Sequence, residues 1–96
     1  MSYVRLTAQG RLVMESAVEK GDDTDPVVQL AIYLSASEYE AVGRDVDELT
    51  GYIKSRAADP KTRHLPAVGT LAKHVDYWIS CAVATGMVEG IDRPRP

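Results

Sequence analysis

The residues whose types could support covalent chemistry sit near the C-terminal end of the chain: His74, Trp78 and Cys81. On a helix, spacings of four and then three residues put all three on one face. A cysteine nucleophile needs a histidine within hydrogen-bond reach. Seven helical residues separate His74 from Cys81 by about 10 Å along the axis, too far for that contact. Cys81 and Trp78 therefore read as core or core-edge residues. His64 and His74, with one cysteine, match no zinc-ligand spacing. Asp22, Asp23 and Asp25 loosely resemble a calcium loop, but its glycine and distal glutamate are missing, and turn formation accounts for the aspartates. Asp45, Asp47 and Glu48 fit a solvated helix face, because nothing encloses them in the apolar pocket that acid–base work needs. Gly10, Gly21 and Gly43 stand alone, so no glycine-rich phosphate loop is present. The sequence assigns no catalytic residue, no metal ligand and no cofactor, and a non-enzymatic protein is expected.

One local charge bias stands out. Lys54, Arg56, Lys61, Arg63 and Lys73 lie close in sequence with only Asp59 against them. Helix-end complementarity plus a solvated loop explains the cluster, and phosphate contact is the alternative. The chain as a whole carries a formal net charge of −3, which does not attract polyanions.

The 96 residues are room for one domain, expected over residues 1–91 with a mobile tail at 92–96. Hydrophobic residues make up 45% and charged residues 26%, which argues against disorder. No apolar run approaches the roughly 18–20 residues that span a bilayer, so no membrane association is expected. No signal peptide is recognisable at the start. The single cysteine cannot form an internal disulfide, consistent with a reducing, cytoplasmic setting.

The elements that must position these residues follow from periodicity. Residues 3–7, 11–19 and 27–34 each alternate with period two, a meander signal. Ala8-Gln9-Gly10 fits a three-residue hairpin with Gly10 at positive φ, placing Arg5 diagonal to Glu15. A helix over 8–20 competes, but its apolar residues would point around most of the cylinder, so strands are preferred. A helix over about 36–58 follows, with Ser35 and Glu38 as a capping box and a stripe of Tyr39, Val42, Val46, Leu49, Ile53 and Ala57. A second helix spans about 66–85, ended by Gly86, with Met87 packing back. Residues 88–91 can add a short edge strand. The expected fold is α+β: a three-stranded antiparallel meander packed against two helices.

Two stretches resemble DNA-binding families. Residues 27–57, VVQLAIYLSASEYEAVGRDVDELTGYIKSRA, resemble a ribbon-helix-helix protein through an alternating strand followed by a Ser cap with Glu. That resemblance implies a dimer in which Gln29, Ala31 and Tyr33 enter the major groove. Residues 65–90 resemble a winged-helix regulator through their Leu-Pro-x-Val-x-x-Leu-Ala start and Gly-Met-Val-Glu end, with about seven residues of turn and recognition helix absent.

The function expected first is binding of a protein partner or of a second copy as a homodimer, in the manner of a small regulatory protein. A phage- or mobile-element-type inhibitor or adaptor fits that size. The candidate interface is the outward sheet face carrying Tyr3, Val13, Val27, Gln29, Ala31 and Tyr33, unusually apolar for a face that meets water. A dimeric DNA-binding transcriptional regulator is the alternative, acting through residues 27–34 or the basic stretch.

Overall fold

The computed structural model describes residues 2–36 and 42–92. Its elements in chain order are β1 (Tyr3–Leu6), α1 (Ala8–Glu19), α2 (Pro26–Leu34), β2 (Arg44–Asp45), α3 (Val46–Ala58), α4 (Val68–Lys73), α5 (Val75–Ala84) and β3 (Val88–Ile91). β1 is the central strand of a three-stranded antiparallel sheet, flanked by β2 and β3. The α+β class and the three-stranded antiparallel sheet thus agree with the sequence reading. The strand at the start and the short edge strand at 88–91 form where the sequence reading places them; the other two expected strands do not form.

Of the three expected strands, only the first forms. Residues 11–19 and 27–34 belong to α1 and α2, and β1 finds its partners at 44–45 and 88–91. The helix ends explain the outcome. The Thr7 hydroxyl oxygen accepts the Gly10 N–H at 2.9 Å and so caps α1. At the other end Gly21 has φ +78°, and its N–H donates to Val18 O while the Asp22 N–H donates to Ala17 O. That pair of bonds is a Schellman termination. Asp25 caps α2 by accepting the Val27 N–H at 2.8 Å, with Pro26 at the first helical position. Val28, Ala31 and Leu34 then bury one face of α2 at helical spacing.

Gly10 makes no hairpin. It lies inside α1 where a Cβ would stand 2.0 Å from the Met87 carbonyl oxygen, so the helix backbone passes directly over the turn before β3. Thr7 reinforces that crossing. Its N–H donates to Met87 O at 3.0 Å and its hydroxyl to Gly86 O at 2.6 Å. Arg5 pairs with Glu89, directly across from it on β3, rather than with Glu15 (Nε to Oε1, 2.7 Å).

The expected helix over 36–58 begins ten residues later, at Val46. Asp45 caps it by accepting the Glu48 N–H at 3.0 Å. Ser35 closes α2 instead of opening a helix, with its hydroxyl donating to Ile32 O at 2.7 Å. Glu38 and Tyr39 lie outside the described residues. The stripe holds at Leu49 and Ile53, both fully buried, and fails at Val42, which is exposed. The helix expected over 66–85 is two helices meeting at His74, whose φ −144° and ψ 54° interrupt the turn. Its end follows the sequence reading: Gly86 sits at φ +78°, the Met87 N–H donates to Ala82 O, and the Met87 side chain is buried. One core cluster joins the inward residues of β1 and β3 to α2, α3, α4 and α5 and to Met14 of α1. The tail beyond Asp92 lies outside the described residues. Among the described residues, no helix is long and apolar enough to cross a membrane.

Candidate functional site

α1 holds itself to the rest of the protein through Gly10 and Met14, its two buried residues. Its far side carries Leu12, 70% exposed, and Val13, 42% exposed, and Val18 is 48% exposed on one flank. Positions 12, 13, 16, 17 and 20 share one side of a helix. There Leu12, Val13, Ser16, Ala17, Lys20 and Asp22 line a shallow groove of about 400 Å³. A single exposed leucine is ordinary. Leu12 and Val13 beside an apolar groove are a concentration of the kind that marks contact surfaces, whereas Val18 stands apart on its flank.

Of the six residues expected on an outward sheet face, only Val13 belongs to this surface. Tyr3 is half-buried on β1. Val27, Gln29, Ala31 and Tyr33 are on α2, so the strand face that would have joined them does not exist. Ala31 is fully buried in the core. The Gln29 amide donates to the Asp23 carbonyl. Tyr33 meets Tyr52 edge to face, with ring centroids 5.6 Å apart. A helix at 26–34 also removes the ribbon through which Gln29, Ala31 and Tyr33 would read a DNA groove.

The basic stretch divides. Arg56 is half-buried against aromatic rings, its guanidinium 5.4 Å from the Tyr33 centroid and 5.5 Å from that of Tyr52. Partial burial works to lower its pKa, but hydrogen bonding and charge interaction with Tyr33 and Tyr52 outweigh this and raise it, so it stays charged. Arg44 covers Tyr52 at 4.6 Å and reaches Glu48 at 3.1 Å, completing a clamp that fastens β2 and α2 to α3. Arg44 is itself buried, and sequence reasoning did not single it out. Lys61 and Arg63 are exposed on the loop between α3 and α4. Lys54 and Lys73 come together. Both line a cleft where α3 meets the α4–α5 break, with Thr50, His74, Asp76 and Tyr77.

His74, Trp78 and Cys81 each meet different neighbours. His74 is the break residue, with no side-chain bond capping α5. The Trp78 ring contacts Tyr77 edge to face at 5.0 Å. Cys81 is half-buried beside Tyr77, where hydrogen bonding to the thiol pushes the phenol pKa up and keeps it protonated. Among the described residues, no three His, Cys, Asp or Glu side chains cluster as metal ligands do.

No family model, curated protein or solved structure matches this chain.

Proposed function

We propose that this protein is a non-enzymatic binding protein whose working surface is the outer side of α1. The observation that carries the reading is the exposure of Leu12 and Val13 beside an apolar groove on a helix that already has its own buried face. Burying a leucine or valine is worth about 1.5–3 kcal/mol. Leaving two side by side in water forgoes that gain unless another chain supplies it. The groove beside Leu12 is bordered by small residues, Ser16 and Ala17, which leave room for a partner's side chain. Glu15 and Glu19 are exposed along one edge of this side, and Lys20 lies at the groove's far end. The occupant that fits is a protein presenting an apolar ridge with a basic residue on the Glu15–Glu19 edge. A helix of twelve residues is about 18 Å long. It offers less than the roughly 800 Å² per partner of a standard interface, which suits a regulatory contact better than a permanent assembly. An inhibitor or adaptor would work in this way.

The experiment compares the wild-type protein with Leu12→Lys/Val13→Lys as bait in its native host, alongside light scattering of both. A partner retained by the wild type and lost from the double variant, with unfolding unchanged, supports the reading. A mass of twice the chain that drops to the 10.5 kDa monomer in the variant makes the partner a second copy. Identical partners on both baits remove α1 from the contact.

A further inference from the structure

The corner where α3 meets α4 and α5 holds a cleft of about 270 Å³ that shares no lining residue with the α1 groove. It is smaller than the roughly 300–1,000 Å³ of a pocket that encloses a whole small molecule, so it suits one chemical group rather than a complete cofactor. The charges around it are uneven. Thr50 and Lys54 stand one turn apart on α3, and Lys73, His74 and Asp76 face them from the helix break. Among the described residues, neither lysine makes an ion pair within the chain, nor does Asp76. Two ammonium groups against one carboxylate leave the cleft at a formal +1, histidine counted neutral, in a chain of net charge −3. The Thr50 hydroxyl donates to Val46 O at 2.8 Å, so the free donors are chiefly the lysines.

We propose that this cleft binds a phosphate group, held between Lys54 of α3 and Lys73 of α4. A phosphate, with several acceptor oxygens, can accept from both ammonium groups at once, each from a different helix. A phosphodiester carries one negative charge and matches the +1 of the cleft. The phosphate can come from a free phosphate or nucleotide, or from a nucleic-acid backbone. The protein partner at α1 and the phosphate here are separate contacts, and either can hold without the other.

Trp78 is the only tryptophan, and its ring lies against Tyr77, which lines the cleft. Its emission therefore reports on occupancy. The full chain is titrated at constant ionic strength with sodium phosphate, a nucleoside monophosphate and a short DNA duplex, by fluorescence and by calorimetry. The expected result is saturable phosphate binding that weakens about tenfold or more in Lys54→Gln/Lys73→Gln, with thermal unfolding unchanged. Tighter binding of the duplex, falling with added salt, identifies the backbone as the source. Tighter binding of phosphate or nucleotide identifies a small ligand. Either supports the site. The proposal is overturned by no saturable signal from any probe in either method, by acetate or chloride competing as well as phosphate, or by wild-type affinity in the double variant.

Discussion

α1 and α5 are built alike and used differently. They are twelve and ten residues long, and both end on a glycine at φ +78° with the same pair of terminal hydrogen bonds. α5 turns Val75, Ile79 and Ala82 into the core. It packs on α2 and leads directly into β3. α1 rests on Gly10, Met14 and part of Ala17, and leaves Leu12, Val13 and Val18 in water. The contrast separates two uses of apolar residues. Those of α5 stabilise the fold, whereas the outer residues of α1 contribute little to it and are free to meet another chain.

Substitutions can break that contrast, and the largest effect belongs to α5. Ile79 is 3% exposed, and Ile79→Ala should cost about 2–5 kcal/mol in denaturant unfolding. A loss below about 0.5 kcal/mol would mean that α5 is no more a core helix than α1. Next comes the point where α1 is anchored. Gly10→Ala places a methyl carbon 2.0 Å from a backbone oxygen, which a side-chain movement cannot relieve. Overpacking of this kind costs about 1–3 kcal/mol or more, and calorimetry should show the melting temperature falling. A neutral result would detach α1 from the Met87 turn.

A smaller effect is expected at the cap. Thr7→Ala removes both the acceptor for the Gly10 N–H and the donor to Gly86 O, and should cost about 1 kcal/mol, with a range of roughly 0.5–2. A change within the error of chemical unfolding would show that the crossing is held by the backbone alone. The smallest effect belongs to the outer side of α1. Leu12→Lys should alter stability by no more than about 0.5 kcal/mol, as surface changes do, and a large loss would show that Leu12 is covered from within.

The signals that could be read from the chain are the local ones. Gly86 followed by Met87 forecasts the end of α5 because a Schellman motif is complete within six residues. The Leu49–Ile53 spacing forecasts the buried side of α3 for the same reason. α1 and α2 were misread because period-two alternation in short apolar runs does not distinguish a strand from a buried helix. VVQLAIYL satisfies both patterns. The better signals were at the ends: Thr7 as a cap, Gly21 as a terminator and Asp25-Pro26 as a helix start. The true partners of β1 lie about 40 and 85 residues away, at Arg44–Asp45 and Val88–Ile91; the edge strand at 88–91 is legible, but no local pattern shows that either segment pairs with β1. The surfaces were legible only in fragments. Val13 and the basic stretch from Lys54 to Lys73 are legible, but Leu12 emerges as the most exposed large apolar residue among those described only when α1 is a helix.

The most direct test of the α1 surface places a photoreactive phenylalanine analogue at position 13 in one sample and at position 80 in another. Both positions are exposed, one on α1 and the other on α5. Irradiation in the native host should yield a discrete protein adduct from position 13, of the same species the wild-type chain retains, and none from position 80. Adducts from position 80 without any from position 13 would contradict the account and move the contact to α5.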